Sequence, residues 1–565
     1  MQYTHLIVGG GSAGCALAAR LSEDAGNNVC LLEAGPDFAP DRTPADILDT
    51  YAGMALSNPA YVWSGLKIRR GDGPYLTQAA RQPINFEQGR VIGGGSSING
   101  QVALRGAEDD FDRWDAAGAT GWDWHAVLPY FRRLESDRDF VDQWHGNEGP
   151  IPVRRFPREQ WDDYTLSVGR AWESQGYRYL PDMNGEFAEG YASLPLSNDG
   201  ERRISAALGY LTREVRARRN LTVMGDAQAA RIRFEGRRAV AVELLPGASG
   251  PGRLEARTII VASGALHTPQ LLMLSGIGPA EQLARFGIDV LVDRQGVGRN
   301  LQDHPSISIS GYLRASVRKK HMFRRNYSYL RYSSGFPGCD DIDMVMMSVC
   351  RSAWHALGGR IGTLSTLLGK PHSRGWVGLA SPDPSTEPEV CFNWLDDDRD
   401  RLRMMDAFRR MAVIARLPVV AKFLEHPFPS SYSERVRQIG RKTPVNIVLT
   451  GIAAALMDSG RPIRDLMIEH VIRDGPSLDV LLGDDGKLAT HVVSEATSAW
   501  HPCGTCKMGR ADDPMSVTDP HGKVFGTENL YVADASIMPE IPRTNLNLPS
   551  IMIGERVADL LRQAA

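Results

Sequence analysis

Apolar positions fall into short blocks whose spacing distinguishes strands from helices. Leu6, Ile7 and Val8 form one continuous apolar run, and Val29 to Leu32 form a second. Runs this short and apolar throughout fit strands buried on both faces. Between them, Ala16 to Leu21 is a stretch of small residues and leucine that reads as a helix. Residues 376–394, WVGLASPDPSTEPEVCFNW, read as two strands around a proline-rich turn, and 400–416 as an amphipathic helix. Alternation along Asp341 to Val349, DIDMVMMSV, puts Met344 and Met346 on one face and Val345 and Met347 on the other. Later segments, VNIVLTGIAAALMD (445–458) and IRDLMIEHVIRD (463–474), are helix-like, the first apolar and the second amphipathic. Pro549 suits the first turn of a C-terminal helix carried by the apolar-periodic run Ile551 to Leu561. The best apolar stretch, Val445 to Met457, is too short to span a bilayer, so no transmembrane segment is expected.

The first two apolar runs frame a glycine motif. Gly9-x-Gly11-x-x-Gly14 follows the first strand directly and opens the small-residue helix. Gly9 suits the tight turn, Gly11 lets main chain approach a pyrophosphate, and Gly14 allows close packing of helix on sheet. The helix N terminus then offers its amides and the positive end of its dipole to phosphate. The second strand ends in Glu33, whose carboxylate suits a ribose diol and would repel a 2'-phosphate. The pattern points to FAD or NAD and against NADP, without separating the first two.

Composition narrows the partners. The chain has 565 residues, room for roughly three or four domain-sized units. With 42% hydrophobic and 23% charged residues it is too apolar for a disordered chain. Lys plus Arg (64) nearly balances Asp plus Glu (67), which leaves no electrostatic footprint for nucleic acid. The start lacks a basic region and a small-residue cleavage site, so no secretory signal is expected. Seven scattered cysteines do not suggest a disulfide framework, and a reducing cytoplasm is the expected location.

Five separated segments carry a family resemblance. They are GRVIGGGSSINGQVALRG (89–106), GALHTPQLLMLSGIG (264–278), VGRNLQDHP (297–305), HPCGTCKMG (501–509) and NLYVADASIMPEIPRTNLNLPSIMIGER (529–556). In this order they resemble the glucose-methanol-choline (GMC) oxidoreductases. The resemblance implies FAD and an α/β plus α+β fold: a Rossmann-like FAD-binding domain of discontinuous segments, and a substrate domain built on an antiparallel sheet with flanking helices. The expected boundaries are 1–155, 195–310 and 495–565 for the FAD-binding domain, and 156–194 and 311–494 for the substrate domain. A helical insert is expected at about 430–485, a packed hairpin or a lid or partner surface. Residues 376–394 match the substrate-domain sheet.

Carried over residue by residue, Gly9, Gly11, Gly14 and Glu33 correspond to the positions holding the ADP half of FAD, and Ser12, Ala13 and Ala34 are assigned to the cofactor site with them. Val91, Gly94, Asn99 and Gly100 lie in the segment beside the flavin. Asp534 and Ala535 match the late segment on its phosphate and ribityl region, and Ala229 and Pro549 are assigned to the cofactor site as well. Some members carry a flavin-linking histidine where this chain has Ile98, so FAD is expected to be noncovalent.

Alcohol oxidation needs a base for the hydroxyl proton and a hydride acceptor for the C–H. His501 matches the family's catalytic histidine, and Asn547 matches the second catalytic position. Asn547 also suits a helix cap. Its assigned roles are catalysis and, at the start of a helix aimed at the flavin, cofactor binding. His304 reads as positioning structure. Cys503-Gly504-Thr505-Cys506 could be a redox pair or half a zinc site, but no second pair accompanies it, and no metal is expected. Trp500, Met344 and Met346 are assigned to the substrate pocket, which points to an aromatic or apolar alcohol. The alternative on the same fold is a non-redox flavoprotein of the hydroxynitrile lyase or photodecarboxylase type. The small Ala499 leans the electron acceptor toward an organic molecule or protein rather than oxygen.

Overall fold

The computed structural model describes residues 2–318, 326–440 and 442–564; residue 441 of the expected insert and residues 319–325 of the expected substrate domain lie outside them. Two seven-stranded sheets organise the chain.

The first is built on the apolar runs at the N terminus. Tyr3–Val8 pairs in parallel with Val29–Leu32 and with the later part of Arg253–Val261. Leu221–Met224 and Leu530–Val532 extend this parallel set on its two sides. Leu6, Ile7, Val29, Cys30 and Leu31 are fully buried, because both faces of a parallel sheet are covered. The earlier part of Arg253–Val261 pairs antiparallel with Arg238–Leu244, which pairs with Ala229–Glu235, so one long strand joins a meander to the parallel set.

Two helices from opposite ends of the chain close one face, Ser12–Leu21 against Asn547–Ala564. Their contact requires a small residue, since a Cβ on Gly554 would sit 2.5 Å from the Ala13 carbonyl oxygen; a Cβ on Gly14 would overlap the Gly9 carbonyl in the turn that precedes the first helix.

The second sheet is antiparallel, in the order Leu424–Pro429, Pro305–Leu313, Ile361–Leu368, Met344–Val349, Asn326–Tyr332, Gly190–Ser193. Thr497–Ser498 pairs with the beginning of Pro305–Leu313. Helix Asp398–Arg416 covers one face, packing Met404, Phe408 and Met411 among Ile307, Ile309, Leu364 and Leu368. The other face looks toward the first sheet.

Strand Pro305–Leu313, within which the expected boundary at 310 falls, belongs wholly to the second sheet. Two sequence expectations meet differences here. Residues 376–394 do form two strands, Trp376–Gly378 and Glu389–Cys391, but they make a two-stranded sheet of their own, with Cys391 bridged to Arg69, rather than joining the large sheet. Met344 and Met346 point to the helix-covered face and are buried in its core. Alternation gave the two faces correctly; which one is interior was set by the helix that packs there.

The insert is helical: Glu434–Ile439, Pro444–Asp458, Arg461–Met467 and Leu478–Leu482, with a π-helical turn at Ile468–Ile472. It docks through Met457, Met467, Ile468 and Ile472 onto Tyr312 and Phe428. Val445, Ile447, Val448 and Ile452 of its longest helix are exposed. No helix among the described residues is long and apolar enough to cross a membrane.

Candidate active site

A cavity of about 790 Å³ runs from the carboxyl ends of the parallel strands, at Val8, Leu32 and Ala262, to the inner face of the antiparallel sheet. Ligands of open α/β sheets bind at such strand ends.

At the first end main chain forms much of the wall. Gly9 holds φ +115°, where a Cβ would overlap the Ala262 carbonyl. Gly11 precedes the helix Ser12–Leu21 with no side-chain cap, so the first amides stay available, and a Cβ on Gly11 would meet nothing within 4 Å. Gly94 reaches the same point from the other side, its missing Cβ 2.8 Å from the Gly11 Cα. Ser12, Ala13, Ala34, Gly100 and Ala229 line this part as well. Glu33 is fixed by two amides, Gly10 N donating to Oε2 (3.0 Å) and Gly35 N to Oε1 (2.8 Å). Burial, opposed by those bonds, pushes its carboxyl up to about 6.

Deeper in, Asp534 is buried with Oδ2 accepting from Gly264 N (2.8 Å) and Thr268 Oγ1 (2.6 Å). It thereby holds the start of helix Gly264–Leu274 beside the cavity, which Ala535 also lines. Asn99 lines the wall while its Oδ1 accepts from Gln101 N and Arg203. A glycine cradle, unclaimed helix amides and a carboxylate at the second strand end fit the pyrophosphate and ribose of FAD. Ile98, on the wall, has no group to bond covalently to a flavin.

Three predicted cofactor residues stand behind this wall. Gly14, Val91 and Pro549 are buried and off the cavity, Gly14 and Pro549 within helices that border it. They shape the wall through packing. A contact that sequence reasoning missed is the stack of Trp63 on His267, ring centroids 4.2 Å apart, with His267 Nε2 2.9 Å from Glu387. No local pattern links residues that far apart.

At the middle of the cavity a chain of two histidines settles a tautomer. His304 Nε2 lies 3.1 Å from the Gly369 carbonyl oxygen, which can only accept, so Nε2 carries the proton. Burial pushes His304 down to about 4, so at neutral pH its Nδ1 is a lone pair. His501 Nδ1 lies 2.8 Å from it and must therefore donate. His501 is held well below the ordinary histidine value by burial and by His304, so its Nε2 is an unprotonated acceptor. His501 lines the cavity.

The loop carrying His501 is fixed by neighbours. His501 N donates to Asp303 Oδ1 (2.9 Å), and Trp500 sits at φ +60° with its N donating to Ser498 Oγ (2.6 Å). Trp500 is half-exposed at the cavity wall, its indole 3.3 Å from Glu87. Asn547 opens the C-terminal helix and lines the cavity; its Oδ1 accepts from Ser12 Oγ (3.1 Å), which turns the amide nitrogen into the available donor. Cys503 and Cys506 are buried free thiols, and burial pushes both well up, away from the reactive thiolate.

The floor is not lined by Met344 and Met346. Met347 and Val349 of the same strand reach it, with Tyr329 and Leu367. Beside them stand Ser306, Ser308, Thr363 and Ser365, which the sequence reading did not single out although Ser306 and Ser308 alternate with Ile307 and Ile309.

Comparison with known proteins agrees with this architecture. Models of the GMC oxidoreductase family match residues 3–306 and 371–554. The 5-(hydroxymethyl)furfural oxidase of Methylovorus sp. (strain MP688) is 36% identical, covering 100% of this chain and 99% of the relative. An oxygen-dependent choline dehydrogenase of Sinorhizobium fredii is 33% identical over 99% of this chain and 95% of its own. The crystal structure of a pyridoxine 4-oxidase superposes with a TM-score of 0.81 at 27% identity, covering 100% of this chain and 99% of the other. With both family models matched in order and the glycine cradle, Glu33 and the histidine pair meeting in one cavity, this chain belongs to the GMC oxidoreductases, FAD-dependent enzymes.

Proposed function

We propose that this protein oxidises a primary alcohol to the aldehyde, with His501 Nε2 as the base. The observation that carries the reading is the Gly369–His304–His501 chain, which leaves Nε2 unprotonated on a residue that lines the cavity. The hydroxyl proton passes to His501 Nε2, the C–H electron pair leaves as hydride, and the C–O bond becomes C=O. Bound FAD supplies the hydride acceptor. The Asn547 amide donates to the substrate oxygen as negative charge builds there. Ser12 orients that amide, and Asp303 holds the main chain of the histidine loop.

The names of the two sequence relatives, a hydroxymethylfurfural oxidase and an oxygen-dependent choline dehydrogenase, support both an alcohol substrate and oxygen as acceptor. We take oxygen as the acceptor in place of the organic one that the small Ala499 suggested. Anaerobic mixing of the yellow holoenzyme with primary alcohols tests the reaction: bleaching of the flavin is expected, and persistence of the colour with every alcohol overturns it. Faster reoxidation by a quinone or dye than by air-saturated buffer would overturn the choice of oxygen.

A further inference from the structure

The substrate end of the cavity has a divided floor. Ser306, Ser308 and Ser310 point one way from strand Pro305–Leu313, while Ile307 and Ile309 point into the helix-covered core. On the paired strand Ile361–Leu368, Thr363 and Ser365 share the side of the three serines, and Leu364 and Leu368 share the core. The hydroxyls form a lane of two hydrogen-bonded clusters, with Ser306, Ser308, Thr363, Ser365, Ser430 and Tyr432 on the cavity and Ser310 buried beneath the second cluster. Ser365 Oγ lies 3.2 Å from Ser306 Oγ and accepts from Ser308 Oγ at 3.0 Å. Ser310 Oγ lies 2.9 Å from Thr363, 2.8 Å from Ser430 and 2.9 Å from Tyr432. The lane starts two residues beyond His304 and ends under the insert at Tyr432. On the next strand Met347 and Val349 form an apolar border.

The sheet does not need these hydroxyls, since its backbone ladder is already paired and its other face is packed with aliphatic side chains. Each hydroxyl carries one donor and two acceptor sites, so the lane keeps hydrogen-bonding capacity after its internal bonds are made. An alkyl chain lying on it would displace water and leave that capacity unmet. A chain with hydroxyls along one edge and C–H along the other would meet the lane on one side and Met347 on the other.

We propose that this lane is the subsite for the non-reacting part of the substrate, and that the substrate is a polyhydroxylated primary alcohol, a linear polyol or a sugar. This rests on the alcohol-oxidation reading and replaces the apolar alcohol that Met344 and Met346 suggested. Residues on the lane select among alcohols by pairing with the extra hydroxyls, as sites built to hydrogen-bond a substrate group reject the analogue lacking it.

The test uses the FAD holoenzyme, a primary alkanol and a linear polyol of equal carbon number, with an aldose carrying a free primary hydroxyl as a third arm. Anaerobic flavin reduction gives the limiting rate and the apparent affinity for each. The expected result is a preference for one of the hydroxylated compounds of about tenfold or more in reduction rate over affinity constant. Which of the two wins separates polyol from sugar. In the double variant Ser308→Ala with Ser365→Ala the preference should collapse toward one, chiefly through affinity, while Ser365→Thr, which keeps a hydroxyl, should retain it. A wild-type preference for the alkanol overturns the proposal, as does equal weakening of all substrates in the double variant, the mark of a structural role. Reduction by none of the compounds, nor by any other primary alcohol, overturns the alcohol-oxidation reading and the subsite with it.

Discussion

At the cofactor end of the cavity Gly9, Gly11 and Gly94 bring main chain to the surface, and the side chains present are small or, like Glu33, tied to backbone amides. At the substrate end the backbone is locked in a ladder, and the surface is made of side chains from Pro305–Leu313, Met344–Val349 and Ile361–Leu368. The first end recognises through geometry that a single added methyl would block. The second recognises through hydroxyls, groups that can be exchanged without disturbing the strands beneath. Cofactor binding and fold are thus coupled, while substrate choice is separable from both.

Breaking the first end should have the largest effect. Gly14→Val puts a side chain onto the Gly9 carbonyl at the contact between strand turn and helix, and the expected outcome is loss of soluble yellow protein. Absorbance of bound flavin per mole of chain checks it, and a folded variant with full FAD would show that the two functions are not coupled there. His501→Ala should keep FAD and fold but slow flavin reduction by about 10²- to 10⁴-fold, read by anaerobic rapid mixing. Asn547→Ala should cost about 10²- to 10³-fold in the same measurement with a smaller change in substrate affinity.

His304→Ala sharpens the comparison, because it touches chemistry through a neighbour. The wild-type reduction rate should rise with pH through a midpoint below 6.5, since burial and His304 both hold His501 down. Removing His304 takes away one of those causes and the acceptor that fixes the tautomer. The rate should fall about tenfold and the midpoint should move up toward 6.5. An unchanged midpoint would confine His304 to packing. The smallest effect is on stability. His304, His355 and His491 are each pushed by burial from 6.5 to about 4, so the unfolded chain binds more protons below 6.5. Their contribution is full above 6.5 and is lost as pH falls toward 4; Tm should decline over that window, and a flat profile would contradict neutral burial.

The amino-acid sequence by itself determined the cofactor end. Gly9 to Gly14 and Glu33 lie within 25 residues, on a strand, a turn, a helix and the next strand, so local geometry alone places them. It also placed His501 and Asn547 through their motifs, and the helical character of the insert. Tertiary structure alone decided the rest. Alternation separated Met344 and Met346 from Met347, but only the packing of Asp398–Arg416 chose which side met the cavity. Residues 376–394 carried a strand pattern, yet hydrogen-bonding edges available in space, not the pattern, confined them to a sheet of their own. His304 and His501 are 197 residues apart, and the proton position on His501 depends on the carbonyl of Gly369, on a third segment. A tautomer is fixed by whichever groups arrive within hydrogen-bond distance, and no spacing along the chain encodes that meeting.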